Sequence, residues 1–162
     1  MKTLYIVRHA KAMLRSADRD GDFDRQLVEK GINRSNKLIE HLIQLEENID
    51  LIISSPAIRA VETAKMIATG LKYPIDSIQE ENGLYTENES FIFDLLFQIS
   101  DNVERIMIVG HNPTLTNFLN YFLEKPIDWL RTSSVACLVF DTNDWAEITK
   151  VNAQLVYLYP IK

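Results

Sequence analysis

Two strongly apolar runs, each ended by a dipeptide that contains histidine, constrain the fold of this chain more than any other feature. Residues 4–7 (LYIV) precede Arg8-His9, and residues 106–109 (IMIV) precede Gly110-His111. Such runs are typical of strands that are buried on both faces, and these strands are usually parallel. In an open parallel sheet, ligands bind outside the carboxyl ends of the strands. We therefore expect the two dipeptides to meet at one edge of a sheet.

The composition excludes several classes of protein. A chain of 162 residues that is 46% hydrophobic can bury the core of one domain, which we expect to span residues 1–162. The net charge of -6 and the absence of a basic run argue against binding to nucleic acid or to an anionic membrane. The single cysteine, Cys137, excludes a disulfide framework within the chain and a cysteine-based zinc site. No signal peptide or membrane span is evident at the N-terminus, so we expect a cytoplasmic protein.

Apolar runs alternate with amphipathic stretches along the first two thirds of the chain, which is the pattern of an α/β fold. Further strands are predicted at residues 51–53 and, from weaker patterning, at Tyr73–Ile78, while Glu80–Glu89 is polar enough for a surface loop. Helices are predicted from near Gly31 to Leu45, from Pro56 to a closing Gly70, from Phe91 to Ile99 and from Pro113 to Phe122.

The last third of the chain has a different pattern. Val135–Phe140 and Ala146–Val151 are both strand-like, and the turn-forming residues 141–144 (DTND) separate them. This arrangement predicts a β-hairpin. Residues 155–158 (LVYL) fit either a tail or a short strand.

A cationic pocket around one imidazole follows from these placements. Arg59 lies about one helical turn after Ser55-Pro56, so its side chain can return to the carboxyl edge of the sheet beside His9. The planar guanidinium group of arginine matches phosphate oxygens, and an imidazole nitrogen can attack phosphorus when it is unprotonated. Phosphoryl transfer needs mainly positioning and charge stabilisation, which these groups could supply without a metal ion or a cofactor.

Three segments resemble the signatures of a known family. Residues 4–10 (LYIVRHA), 54–64 (SSPAIRAVETA) and 109–113 (VGHNP) resemble those of the histidine phosphatase superfamily, also called the phosphoglycerate mutase-like family. Together with residues 132–136 (TSSVA), they are most similar to the small phosphohistidine phosphatases of the SixA type. The resemblance covers nearly the whole chain. It implies a three-layer α/β/α sandwich whose central sheet is mostly parallel, with an antiparallel strand near the C-terminus.

The resemblance also implies roles for individual residues. His9 would be phosphorylated and then hydrolysed, and the phosphate pocket around it would consist of Arg8, Arg59 and His111. Residues 24–27 (DRQL) resemble the family's loop that supplies a further arginine, which makes Arg25 a candidate phosphate ligand. Asn112 belongs to the third signature and is a further candidate.

The chain departs from the wider superfamily at two points. Ala10 stands where glycine is common, and alanine lacks the freedom of glycine at positive φ. No motif marks the acidic residue that larger members use as a general acid, for which Glu87 is a candidate here. An imidazole with a pKa near roughly 6.5 leaves without such help, whereas an alkoxide needs a proton. The missing acid therefore favours P–N over P–O substrates.

These observations predict a metal-independent phosphatase without a cofactor. The expected partner is a phosphorylated protein, such as a histidine phosphotransfer domain, because the short stretch between Gly83 and Arg105 leaves little chain to roof the pocket. One alternative is a phosphatase for small phosphomonoesters or phosphoserine-type sites. A second alternative is a phosphate-binding module without catalytic activity.

Overall fold

The structure, a computed structural model, describes residues 1–14 and 21–160. The strands are β1 (Lys2–Arg8), β2 (Leu51–Ser54), β3 (Gln79–Glu80), β4 (Arg105–Gly110), β5 (Val135–Phe140) and β6 (Ala153–Tyr159). The helices are α1 (Glu29–Gln44), α2 (Ile58–Gly70), α3 (Gly83–Thr86), α4 (Glu89–Phe97) and α5 (Thr114–Phe122). Short 3₁₀ turns cover Asp22–Asp24, Ile75–Ser77 and Trp145–Glu147.

The strands form one mixed sheet in the order β3-β2-β4-β1-β5-β6. The first four strands in this order are parallel, β5 runs antiparallel to β1, and β6 runs antiparallel to β5. The predicted α/β class, with a mostly parallel sheet and an antiparallel C-terminal strand, is confirmed.

Helices cover both faces of this sheet. Successive side chains of a strand point to opposite faces. Tyr5 and Val7 pack with the buried residues of α1 and α2, whereas Leu4 and Ile6 pack with those of α4 and α5. The two apolar clusters give the three-layer α/β/α arrangement that the sequence predicted.

The register of the sheet brings the two histidines together. Arg8 of β1 lies opposite Gly110 of β4, so His9 and His111 leave the same edge from neighbouring strands. The chain then continues through α1 on one face and through α5 on the other. Connections that leave adjacent parallel strands on opposite faces open a crevice between the strand ends, which is the usual ligand site of such sheets.

The prediction of a strand at Tyr73–Ile78 is wrong. In this part of the chain only Gln79 and Glu80 pair with β2, while Pro74 precedes the 3₁₀ turn at Ile75–Ser77. Proline has no N–H to donate to a strand ladder. The predicted loop at Glu80–Glu89 also contains a helical turn, α3, whose Gly83 packs against the ring of Phe91.

Tertiary packing corrects the start of α1 and explains the end of α2, which is at Gly70 as predicted. Helix α1 begins at Glu29, two residues before the predicted start at Gly31. A Cβ at Gly31 would lie 2.3 Å from the Lys11 carbonyl oxygen, so this glycine permits the close approach of α1 to the segment after His9. Gly70 ends α2 without a positive φ, and Lys72 takes the left-handed conformation instead. A Cβ at Gly70 would lie 2.3 Å from a methyl carbon of Ile39, so its role is the packing of α2 against α1.

The predicted strand at Ala146–Val151 is also wrong. Trp145 is fully buried, and its indole N–H donates to the carbonyl of Val103 at 2.6 Å. This contact draws the segment into the core as a 3₁₀ turn and moves the second strand of the hairpin to β6. The short strand that 155–158 could form is part of β6. Within the described residues, no helix combines the length and the apolar character that crossing a bilayer would require.

Candidate active site

His9 lies at the carboxyl end of β1 with a fixed orientation. Its backbone N–H donates to Gly110 O at 3.1 Å, and its side chain is almost completely buried. The ring Nδ1 lies 2.7 Å from Ala10 O. A carbonyl oxygen can only accept, so Nδ1 carries the proton and Nε2 presents its lone pair. Burial, followed by the charges of Arg59 and Arg8, lowers the pKa of His9 to about 4, and the ring is neutral near pH 7.

Helix α2 delivers Arg59 to this imidazole. Arg59 is buried, and its Nε lies 3.4 Å from Nε2 of His9. The Thr63 hydroxyl donates to Arg59 O at 2.7 Å and accepts from the N–H of Ala10 at 2.9 Å. Thr63 therefore ties the first turn of α2 to the residue after His9.

His111 completes the pair from β4. The ring centroids of His9 and His111 are 5.0 Å apart, and Nε2 of His111 shares a hydrogen bond of 2.7 Å with the Ser55 hydroxyl. Burial, with the neighbouring His9 and Arg59, lowers the pKa of His111 to about 3. Its Nδ1 is buried and has no partner among the described residues. An unpaired buried polar atom is costly, so this nitrogen is suited to pair with a bound ligand.

Arg8 borders the same crevice. Its Nη1 donates to Leu130 O at 3.0 Å, and its guanidinium lies 5.5 Å from the centre of the Trp129 ring. Its Nε is buried and has no partner in the described part of the chain. Arg8 is thus held by one backbone contact and one ring contact, and it keeps N–H groups for a ligand.

An anionic residue that the sequence analysis missed, Asp22, joins the arginines. Its Oδ2 accepts from Arg59 Nη2 at 2.8 Å and from the Tyr85 hydroxyl at 2.9 Å, and its Oδ1 accepts from Arg25 Nη1 at 2.9 Å. Burial opposes ionisation of Asp22, but these three hydrogen bonds hold the pKa of its carboxyl well below the usual range. Asp22 therefore carries a negative charge among the cations that would receive a phosphate.

Arg25 lies in the cluster, whereas two other predicted residues have different surroundings. Asn112 accepts from both the N–H and the hydroxyl of Thr116, and its amide nitrogen donates to Leu130 O at 2.6 Å. Asn112 thus supports the carbonyl that holds Arg8. Glu87 is exposed, and its backbone carbonyl accepts from the Thr114 hydroxyl at 3.5 Å.

Two site residues had little signal in the sequence. Asp22 lies three residues before Arg25 in a charged loop, and nothing in the sequence distinguishes it from the neighbouring aspartates. Tyr85 lies in the stretch interpreted as a polar loop, although its ring packs edge-on against His111 at 5.5 Å. Within residues 1–14 and 21–160, no three His, Cys, Asp or Glu side chains are grouped as metal ligands.

Comparison with known proteins identifies the family. The model of the histidine phosphatase superfamily, branch 1, matches residues 4–84, which is half of the chain and includes Arg8, His9 and Arg59. An uncharacterised protein of Picosynechococcus sp. is 30% identical over 112 residues, which cover 69% of this chain and 67% of that relative. The chain belongs to the histidine phosphatase superfamily. The resemblance inferred from the three signatures is confirmed.

Solved structures of superfamily members share the whole fold. The protein histidine phosphatase SixA, solved with tungstate, has a TM-score of 0.79 and 21% identity, and the match covers 96% of this chain and 95% of SixA. A phosphoserine phosphatase of Entamoeba histolytica, solved with 3-phosphoglyceric acid, has a TM-score of 0.66 and 17% identity, covering 98% of this chain and 96% of that chain. At these identities the likeness establishes the fold, and the choice of substrate has to be argued from the site.

Proposed function

We propose that the protein is a phosphatase that works through a phosphohistidine intermediate on His9 and removes phosphate from phosphohistidine on a protein. The observation that carries the proposal is the hydrogen bond from Nδ1 of His9 to Ala10 O at 2.7 Å. It leaves the Nε2 lone pair in a crevice that Arg59 also reaches. A neutral, oriented imidazole beside guanidinium groups is what nucleophilic attack on phosphorus requires.

The first step transfers the phosphoryl group. Nε2 of His9 forms a bond to phosphorus while the bond from phosphorus to the substrate nitrogen breaks, and the substrate side chain, whose other ring nitrogen carries a proton, leaves as a neutral imidazole. Arg8 and Arg59 stabilise the charge on the equatorial oxygens, and Nδ1 of His111 pairs with one of them. In the second step, water attacks phosphorus, the P–N bond to His9 breaks, and inorganic phosphate and neutral His9 are released.

Two features of the rim favour a protein substrate. The stretch from α3 to β4 contributes α4, whose Ile92 and Leu96 are fully buried in the core, so this helix packs on the sheet and does not roof the crevice. Trp129 beside Arg8 is 52% exposed, and Phe23 beside Tyr85 is 39% exposed. Exposed aromatic side chains around an anion site can pack against a macromolecular partner.

The experiment that tests the proposal compares three substrates in excess chelator: a phosphohistidine peptide, a phosphoserine peptide and p-nitrophenyl phosphate. We expect release from the phosphohistidine peptide to be fastest and to disappear in His9→Ala. The control is Val151→Ala, which changes an exposed side chain just before β6, at the end of the sheet opposite His9. Unchanged turnover in His9→Ala would refute the assignment of His9 as the nucleophile. Phosphate binding without release from any substrate would support the binding module instead.

The alternative of a phosphomonoester substrate has its own test. The groups that surround the phosphoryl site do not by themselves distinguish a nitrogen from an oxygen leaving group. If Glu87 protonates an alkoxide, Glu87→Gln will slow the phosphoserine peptide by roughly 10²-fold and leave the phosphohistidine peptide unchanged. Equal rates of the variant and the natural protein on both peptides would remove Glu87 from the chemistry.

A further inference from the structure

A cationic cavity lies next to the active site and has no role in the chemistry above. It has a volume of about 190 Å³ and is lined by Arg34 and Lys37 of α1, by Arg131, and by Ser133, Tyr159 and Pro160. Among the described residues, no carboxylate belongs to this lining. Lys30 lies one helical turn before Arg34, so Lys30, Arg34 and Lys37 follow one face of α1, where Glu29 is the one carboxylate among the described residues of the pocket that they line.

The three cations of the cavity are unpaired. Arg34, Lys37 and Arg131 are all exposed, and none of them forms an ion pair with any carboxylate among residues 1–14 and 21–160. The chain as a whole carries a net charge of -6. The net charge of the chain disfavours an acidic partner, whereas the three cations of this face attract one.

The cavity shares a wall with the catalytic strand end. The N–H of Ser133 lies 3.2 Å from Arg8 O and 3.3 Å from His9 O, and its hydroxyl lies 2.9 Å from that of Ser35 in α1. Ser133 also contacts Gly31 O at 3.5 Å. Ser133 is almost completely buried, so it forms a wall between His9 and α1, and a chain bound at His9 that passes over this wall reaches the cations of α1.

We propose that this surface, formed by Arg34, Lys37 and Arg131, docks an acidic segment of the phosphorylated protein substrate. The inference rests on the proposed function, since it assigns the substrate class of the same site. Its occupant follows from charge complementarity: three unpaired cations match a run of glutamate or aspartate side chains, while Tyr159 and Pro160 provide an apolar wall for their methylene groups. A segment flanking the phosphorylated residue would bind here and position the phosphoryl group at His9.

The first test uses two phosphohistidine peptides that differ only in their flanks, with four glutamates in one and four glutamines in the other. We expect the glutamate peptide to have a KM about tenfold lower, the combined effect of three exposed ion pairs. In the variant R34Q/K37Q/R131Q, the KM of the glutamate peptide should rise to that of the glutamine peptide, with kcat unchanged. The difference in KM between the two peptides should become smaller as the salt concentration rises, because salt screens exposed charges.

The control variant K65Q/K125Q/K150Q removes the same charge from exposed lysines elsewhere on the surface. It should change the KM of the glutamate peptide less than twofold. An equal rise in KM for both triple variants would mean that only net charge matters. Equal KM values for the two peptides with the natural protein would overturn the docking surface.

A binding measurement separates failure of the docking surface from failure of the proposed function. A fluorescent ten-residue oligoglutamate is titrated into His9→Ala, with and without the triple substitution of the cavity. Binding that the triple substitution abolishes supports the surface even if no phosphohistidine peptide is hydrolysed. Hydrolysis of the phosphohistidine peptide without such binding would support the proposed phosphatase function and refute the docking surface. Binding of inorganic phosphate that the triple substitution abolishes, without binding of oligoglutamate, would assign the cavity to a small anion and overturn the proposal.

Discussion

Asp22 is an internal anion at the proposed phosphate site, and its removal should tighten the binding of phosphate. Its carboxylate occupies Nη2 of Arg59 at 2.8 Å, while its own carbonyl oxygen occupies Nη1 at 2.7 Å. Arriving phosphate must either replace these contacts or share Arg59 with a neighbouring negative charge. Asp22→Asn keeps the size of the side chain and removes the charge.

The size of the repulsion between Asp22 and a bound phosphate follows from the geometry of the guanidinium that they would share. Two anions on one guanidinium lie about 5 Å apart, and at an effective dielectric constant of about 20 they repel each other by about 3 kcal/mol. The Asp22 side chain is 33% exposed, so solvent reduces this repulsion to about 1 kcal/mol. We therefore expect Asp22→Asn to bind inorganic phosphate roughly fivefold more tightly.

Isothermal titration calorimetry with inorganic phosphate measures this effect without relying on turnover. The matched control is Asp24→Asn, the same change two residues later at an exposed side chain that has no ion pair within the described residues. This control should leave the affinity unchanged. Equal or weaker binding by a folded Asp22→Asn protein would refute the competition and would mean that the carboxylate mainly holds Arg59 in place.

The remaining predictions concern chemistry, packing and acid stability. Arg59→Ala should lower kcat by about two to three powers of ten, whereas a loss confined to KM would make Arg59 a ground-state ligand only. Gly31→Ala should lower the free energy of unfolding by about 2 kcal/mol in urea melts, because its Cβ would meet the Lys11 carbonyl at 2.3 Å; an unchanged midpoint would contradict this packing. The folded-state pKa values of His9, about 4, and His111, about 3, lie below the unfolded value of about 6.5, so the unfolded chain binds these protons first. The free energy of unfolding should then fall as the pH drops from about 6.5 to 4. His9→Gln should make this dependence on pH shallower by about 1.4 kcal/mol per pH unit, and an unchanged dependence would refute the lowered pKa of His9.

The central part of the site could be predicted because its signals are local in the sequence. An apolar run that ends in a charged residue or a glycine indicates both a buried strand and the edge where the next side chain emerges. This held for β1 and β4, whose register then placed Arg8 opposite Gly110. Arg59 was predictable because the distance from the end of β2 sets how far α2 carries it from the sheet.

Other elements depended on contacts between distant segments. The 3₁₀ turn at Trp145 replaced a strand because burying one indole and pairing its N–H with Val103 outweighs a local strand preference. The link between Asp22 and Arg59 is similar, since 37 residues separate them and only the fold brings them within 2.8 Å.

The sequence by itself determined the α/β class, the edge at which the chemistry lies, and the residue types that make phosphoryl transfer through a histidine feasible. Periodicity and strand ends are properties of short segments, so they can be recognised without knowing what packs against them. The tertiary structure decided which anion lies on Arg59, the protonated nitrogen of His9, the lowered pKa values of both histidines and the grouping of Arg34, Lys37 and Arg131 beside Ser133. These properties depend on distances between segments and on burial, which are established only when the layers of the fold pack together.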